Sequence, residues 1–275
     1  MAEWHMRDDA PLSSEEWRQL DETVVTAARR VLVGRRFINL AGPFGVGTQV
    51  LPLDTIEGTE ACTHPEAAAG CAGGECDVLH VGARRFLPFA LIHKDFSLSW
   101  QDIESAHQFN MKLEFGPAAA AATLVAAAED RMIFEGLLSA EGRQSLPLSD
   151  WATSGNALND VIAASQQLAD CGFYPPYVLL VGSVLYGMLQ RVYNGSGHQE
   201  YELVASVADG GIFRSPFLPP GKAILVSQGP HNLDLAIAQD IITAYLGPDG
   251  LDHRFRVLES VVLRIKRPGA ICVLE

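Results

Sequence analysis

The run from Pro117 to Leu138, PAAAAATLVAAAEDRMIFEGLL, limits what this chain can become more than any other stretch. Proline at a first helical position gives up an N–H that would be an orphan there, and alanine is the best helix former, so the run predicts one helix of about five turns. Side chains this small let other backbones approach on every face, which predicts a buried spine. The apolar stretch before Glu129-Asp130-Arg131 is far short of the roughly 20 residues that cross a bilayer. Elements before and after it must therefore pack around it. With 48% hydrophobic residues in 275, the chain has ample material for a packed core in one large or two modest domains.

Ser13 or Ser14 predicts the start of an N-terminal helix reaching about Val33, and Glu16 stands three residues after Ser13, as a capping box requires. Trp17, Leu20, Val24, Ala27 or Ala28, and Val31 recur at helical spacing, so one face is apolar. That face suits packing on the chain's own core or a groove for a partner segment. Gly34 ends the helix, and Arg35 to Leu40 reads as a short strand. The glycine-rich Gly42 to Gly47 lacks a following Lys-Ser or Lys-Thr and runs into extended sequence, so a plain turn is expected and not a phosphate cradle.

Two extended arms follow, Thr48 to Ile56 and Arg85 to Leu98, around the small-residue tip ACTHPEAAAGCAGGECD. A long hairpin of this kind suits a chain that reaches over a neighbour. The tip holds Cys62, His64, Cys71 and Cys76, with His80 just beyond; gaps of eight and four residues between the cysteines are wider than structural zinc sites use. Inert thiols and disulfides within or between subunits come ahead of metal there, while Cys171 and Cys272 read as small hydrophobes.

Catalytic constellations fail on geometry. In a strand His93 and Asp95 share a side and Lys94 does not, and no nucleophile accompanies them. Glu129 and Asp130 are adjacent on a helix and splay apart, so they cannot serve as paired catalytic carboxylates. No enzyme activity, cofactor or metal is therefore expected. A net charge of −13 argues against a nucleic-acid surface and favours proteins or cations as partners. The N-terminal MAEWHMRDDAPLSSEEW lacks the segments of a signal peptide, and with five cysteines, an odd number, it predicts a cytoplasmic chain with no membrane partner.

After Gly142 the pattern turns α/β. Helices are expected over 159–169 and 183–193, with 201–208 helical or extended, and strands over 177–181, 222–227, 233–237, 240–246, 253–265 and 270–274. Asn194 to His198 forms a loop, and Arg264-Ile265-Lys266-Arg267 reads as a half-exposed strand end.

The strings APLSSEEWRQLDE (10–22), LVGRRFINLAGPFGVGTQ (32–49), FSLSWQDIE (96–104), AAAEDRMIFEG (126–136) and FRVLESVVLRIKRPGAI (255–271) stand in the order of an encapsulin shell protein, of the linocin-like bacteriocin family, and the chain resembles that family along nearly its whole length. The resemblance implies an α+β fold of the tailed-phage major-capsid type. It divides the chain into an N-terminal helical arm (1–40), an extended loop (41–100), a peripheral domain with the spine helix (101–147), an axial domain (148–228) and a return to the peripheral sheet (229–275). It further implies self-assembly into an icosahedral nanocompartment around a cargo enzyme, either ferritin-like and concerned with iron storage or a peroxidase. A targeting peptide on that cargo would dock on Val25, Ala28, Leu32, Arg35, Asn39 and Asp240. The vertex pore would be lined by Tyr193, Asn194, Gly195, Ser196, Gly197, His198, Gln199 and Glu200. Relatives that bind flavin carry a tryptophan where this chain has Val81, so no flavin is expected. Disulfides among Cys62, Cys71 and Cys76 would give a redox-sensitive staple between subunits. The competing readings are a phage-derived capsid protein and a bacteriocin or protease of the linocin type.

Overall fold

The computed structural model describes residues 4–57, 80–193 and 197–275. Helix α1 (Ser14–Val31) begins at the expected capping box: the Ser13 hydroxyl accepts from the Glu16 N–H, and the Glu16 carboxylate accepts from the Ser13 N–H at 2.8 Å. It stops at Val31, short of the predicted end, and Gly34–Arg36 is a turn of 3-10 helix where a strand was expected. The cause lies far along the chain. The Asp130 carboxylate accepts from the N–H groups of Val33 and Gly34, each at 2.8 Å, and turns the backbone inward. Only Asn39–Ala41 remains as strand β1.

The two arms divide differently from the pattern in the sequence. Strand β2 (Val50–Glu57) pairs antiparallel with β3 (His80–Pro88) to form the projecting ribbon. At Phe89 the chain leaves it, and β4 (Ala90–Leu98) joins the body. Ser99 then caps α2 (Trp100–Phe109), a helix the sequence reading did not anticipate. The spine α3 (Gly116–Ser139) has 24 residues, about seven turns and longer than predicted. Strand β5 (Gln144–Leu146), helix α4 (Asn156–Asp170), strand β6 (Tyr177–Val181), and helices α5 (Ser183–Leu189) and α6 (Glu200–Val207) follow, then β7 (Gly211–Arg214) and β8 (Ala223–Ser227). The segments 233–237 and 240–246 are parts of one long strand, β9 (Leu233–Asp249), which turns back into β10 (Asp252–Ile265) before β11 (Ile271–Leu274).

Two main sheets result, ordered β1-β9-β10-β4 and β5-β11-β8-β6-β7. Strand β11 sits in the second sheet, between β5 and β8, so the C-terminal strand does not return to the sheet that β9 and β10 build. Alternation along these strands sends successive side chains to opposite faces. Val178, Leu180, Ile224, Val226, Ile271 and Val273 face one core, with Ile133, Phe134 and Leu137 of the spine. Leu179, Val181, Ala223, Leu225, Cys272 and Leu274 face a second, with α4 and the fully buried Trp151. The N-terminal half of the spine packs elsewhere: Ala118, Ala121, Ala122 and Val125 meet Trp17, Leu20 and Val24 of α1 and Phe255 and Val257 of β10. The small residues thus let α1 and a sheet close on one helix from both sides. Among the described residues no helix is long and apolar enough to cross a membrane.

Candidate binding groove

Where α1 leaves the spine, a groove of about 400 Å³ opens between that helix, β1 and β9. Val25, Ala28, Leu32, Arg35 and Asp240, named from the sequence, line it together with Arg29, Arg36, Leu40 and Ile241. Ala28 and Leu32 form a buried floor, whereas Val25 is 37% and Leu40 51% exposed. Asn39 does not line it. In β1 its neighbour Leu40 takes that position, because adjacent strand residues face opposite ways.

Asp240 and Ile241 are consecutive on β9 yet both line the groove. The β9–β10 register explains this: Leu258 opposes Ile242 but Ser260 opposes Gln239, so two β9 residues face the single Glu259. Such a bulge re-aims side chains that a regular strand would send apart.

Arg35 holds the site together. Its Nε donates to both Glu129 oxygens at 2.9 and 3.0 Å, Nη2 to Glu129 Oε2 at 2.6 Å and Glu259 Oε2 at 2.7 Å, and Nη1 to Asp240 Oδ1 at 2.7 Å. Burial alone would disfavour the cation, but its bonds to Glu129 and Asp240 outweigh that and hold it above the ordinary guanidinium value. Glu129, Asp130 and Glu259 are fully buried. Burial lifts Asp130 to about 6 against the pull of its two backbone donors. The two adjacent acids of the spine do splay apart, one toward Arg35 and the other toward the Val33 and Gly34 amides. Sequence reasoning missed Glu259 altogether. The available signal was a glutamate inside the otherwise apolar alternation of 255–263.

Other candidates find local partners. Asp95 pairs across strands with Arg256 at 2.6 Å, and that hydrogen bond holds its carboxyl below the usual range. In the glycine-rich turn the Phe44 and Gly45 amides donate to Ile237 and Ala238 carbonyls, so they are not free to cradle phosphate. Arg264 and Lys266 share the buried Asp234, and Arg267 lies over Phe173. Cys272 is buried as expected, its thiol pushed up to about 11 by burial, but Cys171 is exposed and meets the Gln144 amide. Among the described residues no group of acids, histidines and cysteines could hold a metal ion.

In the loop expected at a pore, Tyr193 N–H donates to His198 O, Val192 bridges Gln199, and His198 meets Glu202 at 2.8 Å. Glu200 points inward instead: it is buried and accepts from the Gly155 N–H at 3.0 Å and the Leu158 N–H at 3.4 Å, so its carboxylate cannot line an opening. Asn194, Gly195 and Ser196, and the cysteines Cys62, Cys71 and Cys76, lie outside the described residues.

Comparison with known proteins agrees with this architecture. The chain is 40% identical over 273 residues to the type 1 encapsulin shell protein EncA of Myxococcus xanthus, covering 96% of this chain and 94% of that one. Its fold matches a virus-like particle from Pyrococcus furiosus with a TM-score of 0.80 at 24% identity, over 95% of this chain and 100% of the other. It also matches the capsid of the myovirus XM1 with a TM-score of 0.61 at 11% identity, over 89% and 91%. Residues 2–262 match the Linocin_M18 family, described as encapsulating protein for peroxidase. An alanine spine clasped by a capped helix and a bulged sheet is therefore built on the phage-capsid fold, and the chain belongs to the encapsulin shell proteins of the Linocin_M18 family.

Proposed function

We propose that this chain is the protomer of an encapsulin nanocompartment, that copies of it close into an icosahedral shell, and that the groove holds a targeting peptide of the enclosed enzyme. The observation that carries this reading is the convergence of Val25, Ala28, Leu32, Arg35 and Asp240 on one half-apolar depression. Burying two or three apolar anchors at about 1.5–3 kcal/mol each, less ordering costs, gives modest affinity, which high local concentration inside a shell makes sufficient. A peroxidase as guest is supported by the family's description. A ferritin-like iron-storage protein is the other class the sequence resemblance implies.

The ribbon of β2 and β3 reaches over a neighbouring copy; Ile56 at 70% and Phe86 at 63% exposed supply the apolar surface for that contact. Tyr193, Gly197, His198 and Gln199 line the vertex pore, with Glu200 as a foot of the loop. The protomer itself performs no chemistry and needs neither nucleic acid nor a membrane, and the shell works in the cytoplasm. Size-exclusion chromatography with negative-stain microscopy tests assembly: particles far larger than 29.7 kDa are expected, and a compact monomer overturns the proposal. Carboxylates placed in the groove by Val25→Asp with Leu32→Asp are expected to leave shells that purify empty. Guest retained by that variant at the wild-type level overturns the docking role.

A further inference from the structure

Three carboxylates crowd one guanidinium beneath the groove. Glu129 of α3 and Glu259 of β10 are fully buried, Asp240 of β9 is 61% exposed, and all three bond to Arg35. Asp130, next on the spine, is turned onto the Val33 and Gly34 amides, and β4 places the uncharged Ile92 opposite Glu259. Among the described residues no second cation bonds to either buried glutamate. One positive charge, shared with Asp240, cannot compensate two adjacent buried anions. Oε1 of Glu259 is buried without a hydrogen-bond partner, which for a carboxylate would be an uncompensated charge and for a neutral acid is not.

We propose that Glu129 and Glu259 hold one proton between them, and that this proton makes the pair the positioning residues of the groove. With the proton in place, Arg35 lies against both glutamates and offers Nη1 to Asp240 at the surface. Without it the two carboxylates repel, and Arg35 and Asp240 lose their fixed geometry. The inference deepens the docking reading and rests on it for one consequence, that guest docking persists at neutral pH and weakens in alkali.

Burial first, and the charge of Glu129 second, push Glu259 up to about 10. The sign follows. Above the ordinary 4.5 an unfolded glutamate has lost its proton while the folded chain keeps one, so stability falls as pH rises from there toward about 10.

Infrared spectroscopy of intact shells tests the proton directly. At about pH 8, Asp130, lifted only to about 6, is ionised, so a protonated-carboxyl band still present there, and absent from Glu259→Gln, is the expected result. Glu259→Gln replaces the neutral acid by a neutral isostere: it is expected to lose the alkaline fall in melting temperature. Absence of the band from wild-type shells at about pH 8, or an unchanged pH profile in Glu259→Gln, overturns the proposal. Should Glu259→Gln fail to assemble, Glu129→Gln and the wild-type band still decide. Guest retained by Val25→Asp with Leu32→Asp would remove the docking reading alone and leave the shared proton standing.

Discussion

Replacing Arg35 by methionine removes the charge and keeps most of the apolar stem, which isolates the electrostatic part of the site. In the wild type one of two buried glutamates is compensated by the guanidinium; in Arg35→Met that carboxylate too must take a proton to stay inside. Keeping a glutamate of ordinary pKa 4.5 protonated at about pH 7 costs about 1.4 kcal/mol per pH unit, or about 3.4 kcal/mol. Loss of the exposed Asp240 contact adds little. The result falls within the roughly 3–5 kcal/mol measured when one partner of a buried ion pair is deleted. It is a large share of the roughly 5–15 kcal/mol that holds a domain folded. The penalty should shrink toward about 1 kcal/mol at about pH 5, since the pH then lies within about half a unit of the unfolded glutamate's own pKa. Guanidinium unfolding of both proteins at matched protomer concentration, across that pH range, measures it. A penalty below about 1 kcal/mol at neutral pH, or one that acid does not reduce, refutes the reasoning. Adding Glu129→Gln should recover most of the loss.

Three further outcomes follow from the geometry. Ser13→Ala removes the capping box and should cost about 1 kcal/mol, read as a lower unfolding midpoint with assembly retained. Gly34→Ala places a methyl 2.5 Å from Ile133 Cδ1 and should cost about 1–3 kcal/mol; an unchanged melting temperature would mean that the turn beside the groove yields freely. Glu200→Ala leaves the Gly155 and Leu158 amides without their acceptor and should cost about 1–3 kcal/mol, while Glu200→Gln, which keeps an acceptor oxygen, should lose less in the same thermal scan.

Much of the architecture was legible because it rests on short-range physics. Alanine propensity and an N-terminal proline specify α3, and a serine with a glutamate three residues on specifies the start of α1, whatever surrounds them. The groove residues Val25, Ala28 and Leu32 came from the family resemblance and not from spacing, since the apolar face read from periodicity was Trp17, Leu20, Val24, Ala27 or Ala28 and Val31. Element ends were less so. The Gly34–Arg36 turn depends on Asp130, 96 residues distant from Gly34, and no local preference for strand at 35–40 competes with two buried backbone hydrogen bonds. Helix 183–193 stops at Leu189 for a similar reason: the Arg191 guanidinium reaches back to the Trp151 and Ala152 carbonyls.

By itself, then, the amino-acid sequence determined a buried alanine spine, a capped amphipathic helix, a projecting ribbon and an α/β half, because helix propensity, capping and alternation act within a few residues. Only the tertiary structure decided that Glu259 is an interior acid, that Asp240 and Ile241 turn to one side, and that β11 joins the second sheet. Each depends on which strand lies opposite and in what register. A one-residue slip between β9 and β10 moves side chains from one face to the other, and that slip is set by what packs on both sides of the sheet.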